Sequence, residues 1–186
     1  MYMMKKISLL LVLFGVILIS SCKKDAVDPN EEELITTVKV KLTEKVLGGT
    51  GSTTVFEFKD LDGEGGAAPT KFDEILLAKG KIYDCTLEVL NESVSPADNI
   101  TAEIIAEAND HQFYFTATDG LVAVSNLNND SKNLPLGVTS VWTAANLSGN
   151  GTINITLKHK PGTKAANDLI TKGDTDISLE FKLKVQ

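Results

Sequence analysis

The chain has 186 residues, 42% of them hydrophobic, with 18 lysines against 25 acidic residues, no arginine, two histidines and a formal net charge of −7 at pH 7. An acidic surface without guanidinium forks repels phosphate backbones, which speaks against nucleic acid as a partner and for cations. Length and even composition predict one domain with a real core and no internal repeat.

At the N-terminus, Lys5 and Lys6 precede an unbroken uncharged run from Ile7 to Ile19, and charge resumes at Lys23, Lys24 and Asp25. The run has the length of a signal-peptide core and is too short to span a bilayer. Ile19-Ser20-Ser21-Cys22 resembles a bacterial lipobox, so residues 1–21 are expected to be removed and Cys22 to carry the lipid. Two or three acyl chains suffice to anchor a protein stably. Residues 22–33, polar and rich in charge, read as a tether, and the charged start resembles the surface-export signals of Bacteroidetes lipoproteins. The expected address is the outer membrane, at the cell surface. With Cys22 acylated, Cys85 is the only thiol left, and it shares a strand face with Tyr83, Leu87 and Val89, as a buried small hydrophobe would.

Residues 34–186 show repeated period-two alternation. Strands are predicted at 36–45, 53–59, 82–90, 112–118, 121–125, 139–143, 152–159 and 177–185, the last with Ile177, Leu179, Phe181, Leu183 and Val185 on one face. Turn chemistry separates them at Gly48-Gly49-Thr50-Gly51, Asn128-Asn129-Asp130 and Ser148-Gly149-Asn150-Gly151, and Asp174-Thr175-Asp176 also reads as a turn. The fold class predicted is mainly β, an immunoglobulin-like β-sandwich of seven or eight strands. One short helix is predicted to start at Ser95-Pro96-Ala97-Asp98, with Ile100, Ile104 and Ala108 as its apolar stripe, and to end near Asn109. Trp142 is expected in the core.

Two groups of residues suggest metal chemistry. Asp60-Leu61-Asp62-Gly63-Glu64 places acids at alternate positions beside a glycine, as a calcium loop begins. Lys71 stands where an EF-hand would carry its bidentate glutamate, so a calcium loop here is of another kind, and an ordinary solvated hairpin connection is the alternative. The second group comprises Glu107 and His111, on one face of the helix if it continues that far, and His159, which points inward at a strand end. Imidazole and carboxylate together suit zinc or copper, while an inward histidine is also a common hydrogen-bonded rim residue. No Walker glycine loop, nucleophile elbow or Cys-x-x-Cys pair is present, so the chain reads as a binding module and not as an enzyme.

Phe58-Lys59-Asp60-Leu61-Asp62-Gly63, His111-Gln112-Phe113-Tyr114-Phe115, Leu136-Gly137-Val138-Thr139, Leu157-Lys158-His159-Lys160-Pro161 and Thr175-Asp176-Ile177 together resemble a family of Bacteroidetes lipoproteins. Its members often carry the label "type 1 periplasmic binding fold superfamily protein". That label implies two α/β lobes, whereas the alternation in this chain predicts strands with one helix. The resemblance implies company with a TonB-dependent outer-membrane receptor, for which the protein would be a capture or accessory subunit; the anchor, tether and acidic surface fit a metal ion or metal chelate as what it presents. Glu64 departs from the aspartate that the family pattern carries in the acidic loop. A structural or adhesive sandwich stiffened by calcium is the other expectation.

Overall fold

A computed structural model describes residues 34–186 apart from Glu64 and Asp119; the signal peptide, Cys22 and the tether lie outside the described residues. The strands are β1 (Thr37–Val46), β2 (Gly49–Lys59), β3 (Lys71–Phe72), β4 (Ile75–Leu77) and β5 (Ile82–Leu90), then helix α1 (Ile100–Ala106), then β6 (His111–Ala117), β7 (Val122–Ser125), β8 (Thr139–Ala144), β9 (Gly149–His159) and β10 (Asp174–Val185). They form a six-stranded sheet ordered β3-β2-β1-β5-β8-β7 and a four-stranded sheet ordered β4-β10-β9-β6. All pairs are antiparallel except β4 with β10.

Alternation explains why these two sheets face one another. Val38, Val40 and Leu42 of β1, Tyr83, Cys85, Leu87 and Val89 of β5, and Trp142 of β8 are buried from the first sheet. Ile153, Ile155 and Leu157 of β9 and Leu179, Phe181, Leu183 and Val185 of β10 are buried from the second, and all belong to one apolar cluster. Period-two strands can hide such residues only by stacking face to face, which makes the chain a β-sandwich. Aromatic contacts cross the gap: Phe115 meets Trp142 edge-on with centroids 6.0 Å apart, and Phe72 meets Phe181 at 5.0 Å. The Trp142 indole N–H donates to Ser140 Oγ at 3.0 Å, so this fully buried ring leaves no polar atom unsatisfied. Burial pushes the Cys85 thiol up to about 12, which makes it inert as a nucleophile.

The structure departs from the sequence reading at four places. β3 and β4, of two and three residues, bring the strand number to ten; they are too short to show a period. The helix begins later, at Ile100, with Asn99 as its N-cap accepting from the Ala102 N–H, because Asn91 and Asp98 exchange two backbone hydrogen bonds that hold Asp98 extended. Both glycine turns are shorter than expected, because Gly49, Thr50 and Gly51 belong to β2, and Gly149, Asn150 and Gly151 to β9: a Cβ on Gly151 would lie 2.4 Å from Thr118 Oγ1 and 2.7 Å from Leu121 Cδ1, so glycine admits the β6–β7 connection. Finally, Asp174, Thr175 and Asp176 lie in β10, where the register shifts between Thr175 and Ile177.

Trp142 joins the two sheets, so its truncation tests the sandwich directly. Trp142→Ala is expected to lower stability by about 3–5 kcal/mol, read as a fall in the urea midpoint followed by circular dichroism with an unchanged denaturant slope.

Candidate functional site

β6 and β9 pair in the register His111↔His159, and β9 pairs with β10 in the register His159↔Asp174. Directly opposed residues project to the same face, so the two histidines of the chain stand side by side. Their rings are stacked, with centroids 4.6 Å apart and planes 11° from parallel. Glu107 reaches them by a different route from the one the sequence suggests. The helix does not continue to His111; it stops at Ala106, Glu107 caps it with its N–H on the Glu103 carbonyl, and a turn closed by Asp110 N–H on the Glu107 carbonyl at 2.9 Å leads into β6. A turn of this length returns the chain on itself, and the ligand atoms of Glu107, His111 and His159 all lie within 4.8 Å of one another.

His111 is 7% exposed, and its Nδ1 lies 3.2 Å from the Glu107 carbonyl oxygen. With the proton on Nδ1 donated to that carbonyl, Nε2 keeps a lone pair, the arrangement that orients an imidazole ligand. Burial holds the ring below the ordinary histidine value, the Glu107 carbonyl partly opposes this, and His159 adds to it, so His111 is neutral near pH 7 as a ligand must be. Tetrahedral zinc with bonds of about 2.0–2.1 Å separates its donor atoms by roughly 3.3 Å. The donors are therefore gathered but not closed, and exposed Glu107 and half-buried His159 are the groups with freedom to draw in. Asp176 also stands beside the histidines, with no sign of this in the sequence. As the extra residue at the β10 register shift it turns its carboxylate to 3.9 Å from His111 Nε2, and nothing in a Thr-Asp-Ile string signals a bulge.

What fixes this end of the sandwich is the segment after His159, which covers the outer face of the four-stranded sheet. Lys160 is fully buried; its amide donates to the Asp110 carbonyl at 2.6 Å, and its ammonium contacts Gln112 Oε1, the Tyr114 hydroxyl and, at 3.6 Å, Asp168. Burial lowers the Lys160 ammonium and pushes the Tyr114 phenol up to about 12. Lys164 pairs with Asp130 at 2.8 Å, both side chains at most 1% exposed, and also donates to the Ala108 carbonyl at 2.7 Å. Gly162 N–H donates to Asp110 Oδ1 at 2.9 Å. The turn that carries Glu107 into His111 is thus tied at Ala108 and Asp110 to the residues that follow His159.

The acidic loop takes another form. Asp60 continues the β2 alternation from Phe56 and Phe58, and its N–H donates to the Thr36 carbonyl at 2.8 Å, so its side chain turns inward and is 7% exposed. Its Oδ1 has no hydrogen-bond partner among the described residues. Burial, then the Asp62 carboxylate beside it, raises the Asp60 carboxyl above its ordinary value. Asp62 is exposed and accepts the Ala67 N–H at 2.7 Å, which holds it below the usual range. Glu64, the third candidate calcium ligand, lies outside the described residues. Lys71, at the position where an EF-hand needs glutamate, instead pairs with Glu57 at 2.9 Å and Asp73 at 3.3 Å.

Comparisons of the chain with protein-family models, with curated proteins and with solved structures find no match. The class that fold and geometry define is a β-sandwich with a His/His/Glu donor set at one end.

The buried Lys164–Asp130 pair yields a test. Burial alone would raise the Asp130 carboxyl, but Lys164 and the N–H groups of Leu134 and Lys132 outweigh it and hold it below the ordinary value. A depressed carboxylate contributes stability that is present above about pH 4 and lost as pH falls through its folded value. Lys164→Met, which strands the carboxylate, is expected to cost about 3–5 kcal/mol near neutral pH. The gap between the two proteins should narrow as pH drops below about 4, measured by urea unfolding across that range.

Proposed function

We propose that this protein is a lipid-anchored, non-enzymatic binding module of the outer membrane whose ligand is a transition-metal ion, free or chelated, held by Glu107, His111 and His159. The observation that carries the reading is the convergence of those three donor groups within 4.8 Å, produced by a register that opposes the chain's two histidines. Two imidazoles with a carboxylate suit zinc or copper. Three protein ligands leave a position open, as handing an ion or chelate to a partner requires, and Asp176 stands near enough to His111 to serve as a further acid. The lipobox-like Ile19-Ser20-Ser21-Cys22 supports the anchor, and the acidic net charge supports a cationic cargo. A TonB-dependent receptor is the partner that the family resemblance suggests.

Two measurements test this. Zinc or copper titrated into chelator-stripped protein is expected to raise the thermal midpoint by about 5 °C or more, since a hundredfold excess over Kd contributes about 2.7 kcal/mol and each kcal/mol shifts a domain of this size by about 2–4 °C. His111→Ala and His159→Ala should each abolish the rise. An unchanged midpoint with both ions would remove the metal reading. For the anchor, Cys22→Ser should move the protein from the membrane to the soluble fraction and end incorporation of labelled palmitate.

A further inference from the structure

A cleft of about 630 Å³ opens at the same end of the sandwich, between β2 of one sheet and β10 of the other. Its walls are Ile35, Phe58, Ile177 and Leu179, and its polar groups include Asp60 and Asp176. No lysine is among the described residues that line it. Asp60, facing those walls, is 7% exposed and has an oxygen that no described group satisfies. A buried acceptor left in this way costs stability unless something supplies a donor.

We infer that the cleft is a second binding site, for an organic ammonium ion carried on an apolar body, with Asp60 receiving the charged head and Ile35, Phe58, Ile177 and Leu179 holding the body. Size and lining decide between this and a bare ion. Sites of about 300–1,000 Å³ with apolar walls and one or two placed polar groups hold small organic ligands. Calcium requires six to eight oxygens at about 2.3–2.6 Å, and Asp60 and Asp176 are the only carboxylates among the described residues that line the cleft. Asp62 does not complete such a shell inside the cleft, because it is exposed and accepts the Ala67 N–H. An ammonium group has three donors for carboxylate oxygens, and desolvation by the walls strengthens the contact. Asp176, turned toward His111 on one side and lining the cleft on the other, lies between this site and the donor set, but the inference does not depend on metal binding there.

The test is calorimetric titration of the full chain in detergent, with 2-phenylethylammonium and its neutral isostere 2-phenylethanol in the presence of chelator, and with calcium after the chelator has been removed. The amine should bind at least about tenfold more tightly than the alcohol, as a charge-assisted hydrogen bond to a buried carboxylate implies. Asp60→Asn keeps the shape and should reduce amine affinity by about tenfold or more while leaving the affinity for the alcohol within about twofold. Because this change removes a buried charge it is not expected to harm folding, and the thermal midpoint of the variant checks that. Equal affinity for amine and alcohol, an Asp60→Asn protein that binds the amine as the parent does, no amine binding at millimolar concentration, or calcium displacing the amine through Asp60 would each overturn the inference. Chelator in the amine and alcohol cells keeps these outcomes separate from those of the zinc and copper titrations.

Discussion

The pairing register of β9 with its two neighbours is the constraint on which the functional end of this protein rests. β9 holds eleven residues between β6 and β10, and its inward residues Ile153, Ile155 and Leu157 can be buried in only one register. A slip of one residue would send all of them outward. The hydrophobic demand that fixes Leu157 opposite Phe113 and Ile177 therefore also fixes His159 opposite His111, one pair further on. The stacked imidazoles are a by-product of core packing, held by free energy that has nothing to do with a metal.

Around that register the protein uses buried polar contacts where a sandwich of this kind would ordinarily have a wet outer face. Lys158 and Lys160 alternate with inward hydrophobes and would be solvated on a bare sheet, yet they are 5% and 0% exposed because residues 160–173 fold over them. Removing a lysine from water is tolerable only with partners, and here Thr175, Gln112, Tyr114 and Asp168 provide them. The same cover brings Lys164 to Asp130 and Ala108. Rigidity at the donor set thus comes from outside the core, while the adjustable groups, Glu107 and His159, are those nearest solvent.

Much of this was legible in the sequence, for reasons that differ by element. β5 runs Ile82–Leu90 as predicted, because a strand with one face buried displays its period openly. Cys85 lies in the core where alternation put it, and Trp142 lies there as its large apolar ring suggests. β3 and β4 were not legible, since two or three residues carry no period and their pairing is decided by neighbours remote in sequence. The nearness of Glu107 to His111 was anticipated on the assumption of a continuous helix; a turn provides it instead, and short turns and helices both bring residues four apart together. His159 could be placed at an inward strand end, but its pairing with His111 required the sheet order. Asp176 and the cover over Lys160 depend on tertiary structure and left no local sign.

The irregularity at Asp176 has a consequence for how separable the site is from the fold. β10 carries one residue more than β9 between Thr175 and Ile177, so the ladder on either side would remain in step if that residue were deleted. Deletion elsewhere in β10 would invert the facing of everything beyond it. The acid next to His111 is thus the one point in the strand where the chain can be shortened without rewriting the core. Chemistry and architecture can vary independently there, and a chain lacking this residue would keep the sandwich and the stacked histidines while losing the neighbouring carboxylate.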